Sequence, residues 1–142
     1  MTFKYLPPPT LLDPAADERT QPFWDAAAAE RLVAAKCTAC GTFRNPPGRF
    51  CPECLDMGIT YEDLPGTGTV FSSIVVREPL HRGAEDHVPY VPAVIEPDGA
   101  PGIRFVSNVV DVDPDEVTIG MPVKVVFHKV SDTLVLPLWT KA

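Results

Sequence analysis

All four cysteines of the 142-residue chain fall in two short pairs, Cys37-Thr38-Ala39-Cys40 and Cys51-Pro52-Glu53-Cys54, with ten residues between them. Two Cys-x-x-Cys pairs this close make a tetrahedral thiolate cage that suits zinc, with iron the alternative the same donors accept. Cys37, Cys40, Cys51 and Cys54 are therefore the candidate metal ligands. Four thiolates close the coordination sphere and leave no position for a reactive water. The expected ion is structural: it folds the segment and does no catalysis. Gly41, directly after the first pair, suits the tight backbone of a metal knuckle, whereas Leu55 stands after the second pair where a glycine would be easier. Two disulfides are the competing reading. Met1-Thr2-Phe3-Lys4-Tyr5 lacks the layout of a secretion signal, however, and a cytoplasmic compartment keeps thiols reduced.

Hydrophobic residues make up 45% of the chain, enough for a real core. No apolar run approaches the length of a membrane span, so the expectation is a cytoplasmic protein with no membrane partner. The formal net charge of −7 argues against nucleic acid as a partner, because phosphate backbones require a basic footprint. The 17 prolines, about twice the average share, interrupt helices and central strands and favour short strands joined by loops.

Taken in order, residues 1–19 read as an extended arm. Pro7-Pro8-Pro9 favours a polyproline conformation, and Leu11 and Leu12 offer little periodicity. Such an arm is either a loose tail or a strap lying on a partner. A helix is expected from Thr20, with Thr20 as its cap and Pro22 in its first turn. Phe23 and Trp24, side by side, cannot both face one small core; one of them is a candidate for a partner interface. Residues 20–64 form a helix plus metal ribbon, with short strands at Leu32–Lys36 and Ile59–Glu62. Residues 65–142 carry β-branched strands at 69–77, 90–96, 103–112, 123–128 and 134–139, separated by Gly/Pro turns. Five strands at this spacing fit a five-stranded Greek-key barrel of the OB type.

Lys36, Arg44 and Arg49 make a local basic spot on an acidic chain, either solvated surface or an anion site. No catalytic set is recognisable. The cysteines are committed to metal, Ser72 and Ser73 lack a nucleophile elbow, and His81, His87 and His128 have no oriented acid–base companion. Asp111, Asp113, Asp115 and Glu116 lack the spacing of a calcium loop and read as a solvated turn.

The order of these motifs resembles one family. Pro22-Phe23-Trp24 on a helix, Leu32 before Cys-x-x-Cys-Gly, then Pro46-Pro47 and Cys-Pro-x-Cys, is similar to the N-terminal part of DUF35 proteins. Gly66-Thr67-Gly68-Thr69-Val70, Pro89-Tyr90 and Ile119-Gly120-Met121-Pro122-Val123 are similar to their second half. The resemblance covers about residues 20–139. It implies a mainly β chain: an N-terminal helix and rubredoxin-like zinc ribbon, followed by a five-stranded OB-fold barrel. It also implies a non-catalytic accessory subunit in a hetero-oligomer. The partner is a thiolase-superfamily enzyme, a thiolase or thiolase-like retro-aldolase such as those of steroid side-chain degradation, acting on acyl-CoA. The alternative partner is a MaoC-like enoyl-CoA hydratase. Under this resemblance Lys36, Arg44 and Arg49 become candidates for the CoA phosphates by charge alone, and Phe23 and Trp24 for the partner interface. A nucleic-acid-binding role is the remaining alternative, since zinc ribbons and OB barrels both occur in such proteins.

Overall fold

The computed structural model describes residues 3–8 and 14–142. Among the described residues one α-helix and eight strands, besides two single 3-10 turns, run in the order α1 (Gln21–Ala28), β1 (Val33–Cys37), β2 (Phe43–Arg44), β3 (Ile59–Asp63), β4 (Thr67–Ser73), β5 (Val91–Pro97), β6 (Phe105–Val109), β7 (Pro122–Lys129) and β8 (Val135–Lys141). The first three strands form an antiparallel sheet in the order β2-β1-β3, and the last five close into a barrel in the order β4-β5-β6-β8-β7. The chain is thus mainly β, with a helix, a ribbon and a five-stranded barrel, as its residues predict. Closure pairs each barrel strand on both sides and removes the exposed edges that an open sheet presents. The β6–β8 pair is parallel, through Val109 and Trp139; the other barrel pairs are antiparallel.

Most elements stand where the patterning places them, and the differences have physical causes. The expected strand over 69–77 ends at Ser73. Its next neighbour across the ladder is Pro92, which has no N–H to donate, so the Ile74 amide to the Pro92 carbonyl (3.1 Å) is unreciprocated, and beyond it the pairing survives as a single bridge in which Val76 and Tyr90 exchange bonds of 2.9 and 3.2 Å. A register shift between Val70 and Ser72 leaves Phe71 at the surface, with the Arg104 guanidinium 3.6 Å from the ring centroid. At α1, Thr20 occupies the cap position but its side chain does not cap. Its hydroxyl is committed to Asp17, whose carboxylate accepts from the amides of Arg19 (3.0 Å) and Thr20 (2.8 Å). These bonds, the Thr20 amide first, hold the Asp17 carboxyl below its ordinary range.

The main core fills the barrel with Val70, Val91, Ile95, Val109, Val123 and Trp139, and it extends into the ribbon through Leu32 and Ala34. A second cluster of Phe3, Val110, Leu136 and Leu138 lies beneath the N-terminal arm. Residues 3–8 are a strap on the chain's own barrel: Phe3, Pro7 and Pro8 are buried. The Lys4 amide donates to the Asp111 carboxylate (2.6 Å), and the Asp111 amide returns a bond to the Lys4 carbonyl (3.1 Å). Pro9, Leu11 and Leu12, read as part of the extended arm, lie outside the described residues. Phe23 and Trp24 resolve their crowding by serving different clusters. Phe23 packs toward Phe105 in the barrel core, and Trp24 packs against the second cluster. The two rings meet edge to face at 5.1 Å. No helix among the described residues is long and apolar enough to cross a membrane.

Candidate metal centre and the cavity beside it

The metal site is built from two copies of one backbone device. In the first knuckle the Gly41 amide donates to the Cys37 carbonyl (3.0 Å), and the Cys37 amide to Thr42 (2.9 Å). In the second, the Leu55 amide donates to the Cys51 carbonyl (3.0 Å), and the Cys51 amide to Asp56 (2.8 Å). The residue after each pair takes a left-handed conformation, Gly41 at φ 76° and Leu55 at φ 64°. Leu55 therefore adopts the geometry that its position demands despite its side chain, at a cost of roughly 1–2 kcal/mol. Between the knuckles the chain passes so closely at Gly58 that a Cβ there would overlap the Thr38 hydroxyl.

These turns bring the four sulfurs within 4.8 Å of one another. Cys37 and Cys54 are 3.7 Å apart, and Cys40 and Cys51 are 3.5 Å apart. Sulfurs arranged tetrahedrally about an ion at about 2.3 Å stand about 3.8 Å from each other, so the cage has the dimensions of a metal site. All four cysteines are free thiols, which removes the disulfide reading. Hydrogen bonds from Thr42, side chain and then backbone, lower the Cys40 thiol to about 6. At Cys54 the Asp56 amide favours the thiolate, but the Cys40 sulfur, burial and the Cys37 sulfur push the thiol up to about 12. One sulfur ionises readily and its neighbour resists, because thiolates this close repel. A shared cation is what lets all four ionise.

The three candidate cations do not converge. The β1–β2 register pairs Lys36 with Phe43 and Ala35 with Arg44, so Lys36 and Arg44 project from opposite faces of the ribbon sheet. Lys36 sits over the Phe43 ring and is paired with Glu62 at 2.6 Å. Arg49 is exposed beside Phe50. Arg44, which the sequence offers as a surface charge, is only 4% exposed. Its guanidinium donates to the backbone carbonyls of Gly48 (3.2 Å) and Gly58 (2.8 Å), tying the inter-knuckle loop to the second knuckle. Arg44 also lines a cavity of about 310 Å³ between α1, β1, the loop after β2, and β6. The three histidines lie apart: His81 and His87 in the loop before β5, and His128 on β7 against Phe3. Residue patterning did not single out the ribbon tip. There Phe50, Leu55 and Met57 are 53%, 72% and 52% exposed.

Comparison with known proteins agrees with this geometry. Residues 24–57 match the family model described as the rubredoxin-like zinc ribbon domain of ChsH2, and residues 61–128 match the ChsH2 C-terminal OB-fold domain. A "DUF35 domain-containing scaffold protein" of Methanothermobacter thermautotrophicus is 37% identical over 102 residues, covering 71% of this chain and 74% of that protein. The chain belongs to the DUF35 family. Among solved structures, one described as "Ltp2-ChsH2(DUF35) aldolase" superimposes with a TM-score of 0.81 at 36% identity, covering 91% of this chain and 98% of the matched one. A DUF35-family crystal structure from Sulfolobus solfataricus shares the fold at 16% identity and a TM-score of 0.62. A "Probable enoyl-CoA hydratase alpha subunit" of Thermomonospora curvata is 39% identical over 136 residues, 95% of this chain. A second relative, the 3-oxo-4,17-pregnadiene-20-carboxyl-CoA hydratase alpha subunit of Mycobacterium tuberculosis, is 33% identical over 122 residues. This DUF35 chain spans about two fifths of the length of those two hydratase subunits, 41% and 38%.

Proposed function

We propose that this chain is a non-catalytic scaffold subunit that completes a thiolase-superfamily enzyme acting on acyl-CoA. One observation carries the reading. The DUF35 component of an aldolase is matched over 98% of its length at 36% identity, far above the level at which a shared fold alone would account for the likeness. The metal is zinc: a closed four-sulfur cage at tetrahedral spacing is its usual structural site. The ion holds the two knuckles and so presents Phe50, Leu55 and Met57 as an apolar tip toward the partner. Phe23 and Trp24 on the helix, each partly buried with a remaining edge at the surface, are the second partner-facing element. Arg49 is the cation left at the surface for a CoA phosphate, with Lys36 nearby in sequence but already paired.

The names of the two hydratase subunits favour a second reading, in which the partner is a MaoC-like enoyl-CoA hydratase. Co-purification separates the two. The chain is co-expressed with a thiolase-superfamily aldolase, and separately with a MaoC-like hydratase, from its own source. The expected result is a stable complex with the aldolase, carrying one zinc per DUF35 chain and turning over acyl-CoA that neither protein turns over alone. Full aldolase activity without this chain overturns the proposal, as does turnover by the chain unaided. A stable complex with the hydratase alone selects the second reading. A strongly coloured protein would replace zinc with iron.

A further inference from the structure

The ribbon sheet ends on an open edge. β3 pairs with β1 and with no other strand among the described residues. Two bonds at the ends of that ladder set its phase: the Leu64 amide donates to the Leu32 carbonyl (2.9 Å), and the Thr38 amide to the Gly58 carbonyl (3.3 Å). Backbone groups on an antiparallel strand alternate sides. Thr60 and Glu62 therefore bond to β1, and the N–H and C=O of Ile59, Tyr61 and Asp63 point outward. Among the described residues none of these outward groups has a hydrogen-bond partner. Thr60, Glu62 and Asp63 are exposed, and Ile59 and Tyr61 are partly buried. Edges of this kind are ordinarily blunted by a bulge, a proline or a lysine. β3 runs in unbroken register with β1 and contains neither proline nor lysine.

Charge selects what this edge can accept. From Phe50 to Val76 the chain carries Glu53, Asp56, Glu62 and Asp63 and no lysine, arginine or histidine. Arg31 pairs with Asp63 (3.1 Å) and Lys36 with Glu62 (2.6 Å), while Glu53 and Asp56 enter no ion pair among the described residues. A divalent ion held by four thiolates leaves the cage itself negative. A second copy of the chain, pairing through the same edge, would set two anionic strips against each other. We propose that β3 accepts an added strand from a partner protein: an extended segment with lysine or arginine at alternate positions and apolar side chains between them. Residues of that segment opposite Thr60 and Glu62 meet a hydroxyl and a carboxylate, and those opposite Ile59 and Tyr61 meet apolar surface. Backbone bonds supply the affinity and the alternating side chains the selectivity. Leu55 and Met57, exposed just before β3, extend the apolar contact at one end. For the donor of the strand the proposal rests on the scaffold reading: the partner enzyme supplies it.

The test uses the full metal-loaded chain at low salt and follows amide exchange residue by residue. The probe is a capped hexapeptide of alternating valine and lysine. One control replaces lysine with glutamate; the other carries N-methyl groups on the valines, whose amides face β3 in this pairing. In the free chain the Ile59, Tyr61 and Asp63 amides are expected to exchange freely while those of Thr60 and Glu62 are protected. The lysine peptide is expected to slow the first three about tenfold, and both controls to bind about tenfold more weakly. Thr60→Lys keeps the ladder bonds and the cysteines and places a cation on the edge. It is expected to weaken the lysine peptide about tenfold with the Glu62 amide still protected. Failure of the lysine peptide to bind overturns the proposal, as does equal binding of either control or unchanged binding to Thr60→Lys. Protection of the three amides in the free chain that disappears on dilution also overturns it, because a second copy then occupies the edge. In the co-purified aldolase complex the same three amides are expected to slow. If they do not, the added strand falls while the scaffold reading survives. If the peptide protects them but no enzyme complex forms, the edge stands and the scaffold reading falls.

Discussion

In the barrel, five strands pair on both sides and enclose Ile95, Val70, Val91, Val109, Val123 and Trp139, all essentially inaccessible. In the ribbon, three strands of five, two and five residues make an open sheet whose outer end buries little besides Cys37, Cys51 and the Arg44 side chain. The barrel is held by apolar area removed from water, at about 25 cal/mol per Å². The ribbon tip has no comparable area to remove, and Phe50, Leu55 and Met57 are left in solvent. Its order falls to the four-sulfur cage that can hold an ion and to the backbone hydrogen bonds within each knuckle. Only its root, Leu32 and Ala34, belongs to the barrel's core. Two regions of one short chain therefore depend on different variables: the ribbon on free metal and thiolate, the barrel on packing.

Removing the ion is the most severe way to break this contrast. Structural zinc supplies roughly 10 kcal/mol or more of apparent folding free energy in isolated ribbons. Chelation, or Cys51→Ser, is therefore expected to erase amide-exchange protection between residues 37 and 58 while the barrel amides stay protected. Simultaneous loss of both would show that the two regions are one cooperative unit. The converse experiment is Trp139→Ala, which removes a side chain 1% exposed at the β6–β8 junction. It is expected to cost the barrel about 3–5 kcal/mol in denaturant titration, with metal content still one ion per chain.

A smaller effect sharpens the comparison inside the ribbon. Gly41→Ala forces a side chain into φ 76° and should cost about 1 kcal/mol of metal-dependent stability, although the nearest atom, Lys36 Cε, leaves room at 3.7 Å. Leu55→Gly at φ 64° should be neutral or gain up to about 1 kcal/mol. If the two substitutions shift metal-dependent melting in the same direction, the knuckles are not equivalent. The smallest expected change is in the barrel's acid response. Burial holds the His128 ring below its ordinary value of 6.5. The unfolded chain therefore takes the proton first, and stability is full above about 6.5 and declines as pH falls through the folded-state value. His128→Phe should flatten that part of the barrel's pH–stability curve in chemical denaturation of the metal-loaded protein.

How much of this was legible in the sequence follows the same division. The cage is a local pattern, and so are the knuckles: four sulfurs, Gly41 and the misplaced Leu55 can be read from spacing because each turn is satisfied by its own neighbours. The barrel strands are legible from alternation, with their ends wrong wherever a cross-strand neighbour decides them, as Pro92 does for β4. The strap is not legible. A run of prolines with scattered apolar residues gives no sign that Phe3 is to be buried against Leu136 and Leu138, more than a hundred residues away. Arg44 misleads for a related reason. Between Phe43 and Asn45 it looks like a solvated charge, and only the register with Ala35 turns it inward. The cavity is invisible in sequence because its walls come from a helix, a ribbon strand, a loop and a barrel strand spread from residue 20 to residue 106.

β8 lies between β6 and β7, and it is the strand that closes the barrel. On a ribosome, the four cysteines clear the exit tunnel while Val135–Lys141 are still untranslated. The ribbon can capture its ion at that stage, whereas β6 waits without its parallel neighbour until almost the whole described chain has been made. Synthesis in a metal-starved cell would therefore expose the tip first, and a ribosome stalled before Val135 would hold a finished knuckle next to an unsealed sheet.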